Sequence, residues 1–407
     1  MVQLHPTASK GKLLMKVGLV SLGEAGNYGD DLILLAVLDA MADSEVDVDM
    51  AFLSFDCPMD LEGLRGVVRM PRTVERRQYD FRSLLPRRHQ LFSDRDLVLV
   101  GGGGLLQTSH HPERPYHWLG FLPEKKHGVP VVGVGLGLGP LSDSWQRELT
   151  RMGSPFSSLH VRDDDSAALV GSWGWPAERC HDFIEGDFLQ RFLDSVLSQQ
   201  GTSTEAADSR TGRRLGVSLR QWPGASTDFL ARHVERIAKA EDCDQVTFFV
   251  LESKHGRGVD VEFTRSVAAA VSSATCDVCV YDSTNLVSFT AALAGVDAAV
   301  SMKLHSSAVW GAVNVPMYPI VYAPKMAAFF GLPYKGLEFM ASREEPAEPP
   351  SVPSAHAVVA ASVCSQAAGQ LGRPQWQPNL GWAGAHHGKS VVHDAVQKAR
   401  RRLRSGR

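Results

Sequence analysis

The sequence predicts an α/β protein built as two doubly wound domains, and three observations predict it. From Lys16 onward short β-branched runs alternate with longer helical patterns, the way a parallel sheet covered by helices reads in sequence. A stretch almost devoid of large apolar residues, "SQQGTSTEAADSRTGR", divides that alternation in two and cannot contribute to a core. The 407 residues are 44% hydrophobic, enough to bury a large core, and the length suits two domains better than one.

The elements follow in order. After a polar lead-in over 1–15, "KVGLVSLG" reads as a strand, "DDLILLAVLDAMAD" as a helix and "VDMAFLSF" as a second strand. Then come strands in "RDLVLVGGGG", "VPVVGVGLG" and "SSLHVRD", which completes a Rossmann-like domain over 16–197. The linker takes 198–213. Alternation restarts over 214–340 with strands in "RRLGVSLR", "QVTFFVLE", "CDVCVYD", "VDAAVSM" and "VPMYPIVY" and helices between them. Residues 341–407 hold the Pro/Glu stretch "SREEPAEPPSVPS", which cannot hold a helix, an Ala-rich helical pattern and a basic tail, "KARRRLRSGR".

A formal charge of −3 is close to neutral for this size, so an anionic ligand must be gathered by a local basic cluster, and nothing in the composition points to nucleic acid. No apolar run approaches the ~20 residues that span a bilayer. The basic tail reads as solvated, with weak adhesion to an anionic membrane as the alternative. Six scattered cysteines (Cys57, Cys180, Cys243, Cys276, Cys279, Cys364) and no legible secretory leader fit free thiols and a cytoplasmic setting, peripheral to the membrane's inner face at most. The lone "CDVC" has no second pair at metal spacing, so alternating buried positions of a strand explain both thiols and no metal is expected.

Between the first strand and helix, "SLGEAGNYGDD" spaces its glycines GxxGxxG. A dinucleotide fold needs GxGxxG, and although Asp56 closes the second strand where a ribose-binding acid would sit, the spacing disfavours a nicotinamide cofactor. Asp30 or Asp31 would cap the helix, and Asn27 would take a left-handed turn. The glycine-ended strands suggest the floor of a cleft, approached by a ligand or by a helix.

In an open parallel sheet ligands bind beyond the carboxyl ends of the strands. In the second domain those positions are Arg220, Glu252 and His255, Asp282, Lys303 and His305, and Tyr322 with Lys325. Lys303 and His305 stand out, because their flanks "DAAVSM" and "AVWGAV" are apolar. A buried lysine and the free amides of a helix start both call for an anion, and Ser306 and Ser307 add hydroxyls there. The alternative is a structural bridge from Lys303 to Glu252 or Asp282.

"GNYGDDLIL", "LVLVGGGGLL", "VRDDDS", "GVSLR", "SMKLHS", "VYAPK" and "FFGLP", in that order, resemble the polysaccharide pyruvyl transferase family over most of residues 16–335. The resemblance implies a two-domain, glycosyltransferase-B-like protein. It would move the enolpyruvyl group of phosphoenolpyruvate onto two hydroxyls of a sugar or glycan, which a lipid carrier or nucleotide could present, forming a cyclic ketal and requiring no cofactor. It implies Arg220, Lys303 and His305 at the donor site, with His305 as the acid that protonates the methylene carbon. Asn27, Asp30, Gly103, Arg162, Ser166, Glu252, Asp282, Ser306, Tyr322 and Lys325 complete the expected substrate contacts; Asp30, Glu252 or Asp282 would be the base. The family commonly has arginine where Lys303 stands. The aromatic loop "QTSHHPERPYHWLG" is the expected acceptor surface. The rival is a nucleotide-sugar-dependent glycosyltransferase of the same architecture.

Overall fold

The structure, a computed structural model, describes residues 15–44, 46–52, 58–78, 92–107, 119, 122–123, 127–201, 212–253, 259–342, 344–345 and 351–370. The chain forms two compact units, 1–366, which holds both sheets, and 367–407. Asp56, Cys57, His255, nearly all of the aromatic loop and the basic tail lie outside the described residues.

The first sheet takes β1 (Met15–Val20), β2 (Val46–Phe52), β3 (Thr73–Gln78), β4 (Leu97–Leu106), β5 (Val131–Leu138), β6 (Ser158–Val161) and β7 (Glu178–Arg179) in the spatial order β3-β2-β1-β4-β5-β6-β7. Every pairing in it is parallel. Its helices are α1 (Tyr28–Met41), α2 (Leu61–Leu64), α3 (Asp143–Met152), α4 (Asp164–Ser172) and α5 (Asp187–Gly201). α5 therefore runs into the stretch expected as linker. The second sheet takes β8 (Arg214–Ser218), β9 (Gln245–Val250), β10 (Thr275–Val280), β11 (Ala298–Ser301), β12 (Met317–Val321) and β13 (Glu338–Phe339) in the order β10-β9-β8-β11-β12-β13, with only β13 antiparallel. Its helices are α6 (Thr227–Ala240), α7 (Val259–Ala270), α8 (Leu286–Ala294), α9 (Leu304–Ala312) and α10 (Pro324–Phe329); α11 (Ala355–Gln370) follows.

Continuous apolar runs make the central strands because helices cover both faces. β5, "VVGVGLGL", is buried throughout. Two of the glycines of β4 serve that covering: a Cβ on Gly102 would stand 2.1 Å from Ile33 of α1, and one on Gly101 2.9 Å from Val37. A neighbouring helix thus accounts for these glycines. β3 was not legible because "TVERRQ" is charged, yet at the sheet edge it needs one neighbour only. β10 is likewise an edge strand, so Cys276 and Cys279 are half-buried free thiols on opposite faces, not the buried pair expected.

α1 is buried all round except at Asp30, because its residues meet apolar neighbours from both halves of the chain. Asn27, extended at φ −122°, caps it by accepting the Gly29 N–H at 3.1 Å; neither acid does, and the left-handed residues are Gly26 and Glu24. The loop before α1 is stitched to the second half. The Tyr28 N–H donates to the Leu251 carbonyl at 2.9 Å, the Ser253 N–H donates to the Gly26 carbonyl at 3.1 Å, and the Tyr28 hydroxyl lies 2.9 Å from Thr290 Oγ1. Asp31, fully buried, accepts from the Tyr281 hydroxyl at 2.6 Å and from Ser283 at 2.7 Å. Burial pushes its carboxyl up to about 6.

Residues 351–366 return to the first sheet. The His181 N–H donates to the Pro353 carbonyl at 2.9 Å, and His356 Nε2 lies 2.7 Å from the buried Asp39 carboxylate of α1. Arg191 of α5 and Arg69 reach the same carboxylate at 2.6 and 3.1 Å. Burial alone would raise the Asp39 carboxyl; the His356 and Arg69 hydrogen bonds with the Arg191 charge outweigh it and hold it well below the usual carboxylate range.

Glu24 is buried in a left-handed conformation (φ 64°), pairs with Arg76 of β3 at 2.7 Å and accepts the Met59 N–H at 3.1 Å. Burial pushes its carboxyl up from 4.5 to about 7. Above the unfolded value the folded chain holds the proton more tightly, so this group's contribution to stability falls as pH rises from about 4.5 to about 7. Glu24→Gln is therefore expected to gain on the wild type across that window by on the order of 3 kcal/mol. Thermal or urea unfolding of both chains at pH 4.5 and 8 checks this; a constant gap counts against it.

Candidate functional site

In both sheets the strand order reverses between the first and fourth strands of the set, β1/β4 and β8/β11, and a crevice opens beyond their carboxyl ends at such a point. The second sheet's crevice gathers the predicted cations. β8 and β11 pair in register with Ser218 opposite Ser301, so Arg220 and Lys303 each stand two residues past the paired ends of adjacent strands. β12, on the other side of β11, ends at Val321 and delivers Tyr322; the first turn of α10 carries Lys325.

Lys303 is the N-cap residue of α9 with an extended backbone (φ −107°, ψ 129°), and its side chain makes no capping bond. Its ammonium, 9% exposed as a residue, lies 2.6 Å from Asp260 Oδ2 and 3.5 Å from Glu252 Oε2. The bridge to Glu252 expected from sequence is present, but the carboxylate facing the ammonium most closely is Asp260, which the sequence did not single out. Arg220 shares the field of Glu252 and Asp260 and hydrogen-bonds Tyr322; these partners outweigh its burial and raise its pKa. Burial alone would push the Tyr322 phenol up, but Lys325, Lys303 and Arg220 bring it below its ordinary value. The ring is buried and meets Trp222 edge-on at 4.8 Å.

His305 is the second residue of α9 and faces the first half of the chain. A Cβ on Gly29 would fall 1.8 Å from His305 Nδ1, so the imidazole lies directly on the first turn of α1. His305 Nε2 is buried with no hydrogen-bond partner. Burial drives its pKa down to about 4; Asp182 pulls up, while Lys325, Arg162 and Lys303 push further down. Arg162, beyond β6, pairs with the buried Asp182 at 2.7 Å and lies over Gly137 of β5. The first half therefore contributes Gly29, Arg162 and Asp182 to the surroundings of a histidine carried by the second.

Other expected contacts are engaged elsewhere. Ser306 Oγ lies 2.9 Å from the Lys303 carbonyl and 3.0 Å from Ser218 Oγ, and Ser307 Oγ lies 3.0 Å from the same carbonyl. These buried hydroxyls hold the Lys303 backbone in place of offering donors to an anion. Ser166 Oγ accepts the Leu138 N–H at 2.9 Å and is buried. Asp282 Oδ1 accepts from the N–H and hydroxyl of Thr284, both at 3.0 Å, in a turn after β10. Glu252 sits beside Asn27 in a short antiparallel bridge as well as beside Lys303. Asp30 approaches Gly103, whose added Cβ would lie 3.5 Å from Asp30 Oδ1. Asp182 and Asp260 went unnoticed in sequence: each is an ordinary acid in a helical or loop stretch, and only the topology brings it to the crevice. Among the described residues no group of three His, Cys, Asp or Glu side chains is arranged to hold a metal ion, and no helix is long and apolar enough to cross a membrane.

The fold is glycosyltransferase-B-like, two parallel-dominated α/β sheets, each with a switch point in its strand order. Among solved structures, the chain resembles the S. aureus MnaA–UDP co-structure at 10% identity and a TM-score of 0.50, with 80% of this chain and 85% of that one covered. UDP-GlcNAc 2-epimerase from Neisseria meningitidis bound to UDP-GlcNAc matches at 10% identity and 0.49, covering 80% and 88%. ADP-heptose LPS heptosyltransferase II from E. coli matches at 15% and 0.37, covering 75% and 84%. No curated protein matches the sequence. The model of the family described as polysaccharide pyruvyl transferase matches residues 27–324, a span that begins at the cap of α1 and ends at the start of α10. A match over that much of the chain, enclosing Arg220, Lys303 and His305, shows that the chain belongs to the polysaccharide pyruvyl transferase family.

Proposed function

We propose that this transferase moves the enolpyruvyl group of phosphoenolpyruvate onto two hydroxyls of a sugar, closing a cyclic ketal and releasing phosphate. The observation that carries the reading is the meeting of Arg220, Lys303 and Lys325 around Tyr322 at the β8/β11 switch point, beside a histidine with a buried, unpartnered Nε2. A small acid bearing a phosphate and a carboxylate suits such a cluster in a nearly neutral chain. In the reaction, the His305 proton goes to the methylene carbon, which becomes a methyl group. The cation-like carbon left behind takes one sugar hydroxyl, whose proton passes to the base; the second hydroxyl then displaces phosphate, which leaves carrying that hydroxyl's proton. Asp30, Glu252 and Asp282 are the candidate bases; one oxygen of Asp282 is taken by its own turn and one of Glu252 faces Lys303.

An imidazole held near 4 is neutral at physiological pH and cannot donate that proton. A bound polyanion supports the charged form by offsetting Lys303, Lys325 and Arg162. His305 should accordingly titrate near 4 in the free protein and shift upward with phosphoenolpyruvate, followed by NMR; no upward movement removes its role as donor-activated acid. Phosphoenolpyruvate at 100 times its Kd should stabilise the fold by about 2.7 kcal/mol. Stabilisation by UDP or GDP and not by phosphoenolpyruvate would instead favour a nucleotide-sugar glycosyltransferase. Phosphate release with a panel of hexose acceptors then reads the transfer itself.

A further inference from the structure

Asp260 stands in the first turn of α7 and does two things at once. Its Oδ2 lies 2.6 Å from the Lys303 ammonium and its Oδ1 accepts the Gln221 N–H at 3.1 Å, one residue past Arg220. Both side chains of the ion pair are largely withdrawn from solvent, at 11% and 12% exposure. An ammonium, a backbone N–H at a strand end and a neighbouring guanidinium are the donors that a small phosphate or carboxylate takes. Here a carboxylate of the chain itself takes two of them.

We propose that Asp260 is a built-in occupant of the anion seat, held by Lys303 and the Gln221 N–H in the free protein and displaced from Lys303 when the donor's own anion arrives. The inference rests on the reading of this crevice as the phosphoenolpyruvate site. Two like charges cannot share one ammonium at contact distance without repulsion, so each molecule of donor bound works against Asp260. Glu252, 3.5 Å from the ammonium, stands farther off than Asp260 and is the weaker competitor for it. Lysine at position 303 suits this exchange. Its ammonium is a compact charge on a flexible stem that swivels between acceptors, whereas a guanidinium fork would grip the carboxylate through two parallel bonds. Asp260 thus sets the donor affinity downward and favours ligands charged enough to outcompete a carboxylate.

Calorimetric titration of the full chain with phosphoenolpyruvate, and separately with inorganic phosphate, tests this in the wild type, Asp260→Asn and Asp260→Glu. Asp260→Asn is expected to bind both about tenfold more tightly, and Asp260→Glu, which keeps the charge, to show no tightening. Unchanged or weaker binding by Asp260→Asn overturns the proposal, since it would make the carboxylate an organiser of the site. Should Asp260→Asn melt below the titration temperature, Asp260→Ser, which keeps a short acceptor for the Gln221 N–H, reads the same ratio. A wild type that binds inorganic phosphate but not phosphoenolpyruvate removes the donor assignment while the phosphate ratio still decides the role of Asp260. Binding of neither overturns both.

Discussion

His305→Gln is expected to lower phosphoenolpyruvate-dependent phosphate release by about 10²–10⁴-fold, the usual contribution of a positioned general acid. Glutamine fills much of the same space on the first turn of α1 and keeps a polar group toward the crevice, but it carries no titratable proton. Donor binding should change far less, because Arg220, Lys303 and Lys325 are untouched. The loss should therefore appear in kcat with KM nearly constant, the pattern of an interaction made only in the transition state. Stability should move little at neutral pH and improve at low pH. The His305 pKa of about 4 lies below its ordinary 6.5, so in the wild type the stability tied to the neutral ring is complete above 6.5 and lost as pH falls toward 4. Steady-state kinetics with unfolding curves at pH 5 and 7.5 measure all three; retention of more than a tenth of wild-type kcat would remove His305 as the acid.

Gly29→Ala should be almost as damaging through sterics alone. The new methyl would overlap His305 Nδ1 at 1.8 Å and Cε1 at 2.2 Å, so ring or helix must shift by more than an ångström. Alanine is intrinsically the better helix residue by about 1 kcal/mol, which offsets part of the ~1–3 kcal/mol of overpacking, so the fold should survive. Displacement of a reacting group by about 1 Å is enough to cost about 10²-fold in rate. The expected result is a chain with a nearly native melting temperature and about a hundredfold lower kcat/KM. Activity within threefold of wild type would mean that the imidazole does not work from the position seen over α1.

The sequence carried the fold well where physics is local. Apolar runs such as "LVLVGGGGLL" and "AAVSM" announce strands covered on both faces, and the polar residues that interrupt them at Arg220, Lys303, His305 and Tyr322 mark the crevice because a parallel sheet exposes its functional groups there. What was not legible depended on distant partners. Asp260 and Asp182 become informative only once Lys303, Arg162 and His305 stand beside them. Ser166 and Ser306 look like free donors in one dimension, yet their hydroxyls face inward to Leu138 and Lys303. Gly29 reads as turn chemistry within "GNYGDD", although it clears space for an imidazole 276 residues away. Asp31 reads as a cap for the first helix and proves to be a buried acceptor joining the two halves.

Residues 351–366 lie late in the chain but complete the amino-terminal sheet, through Pro353 against His181 and His356 against Asp39. Covalent order and spatial membership therefore disagree, and the molecule is a weave of three segments more than two beads on a string. A fragment ending near Gly201 would lack the segment that meets His181 and Asp39, and the remainder would carry that segment with nothing beneath it.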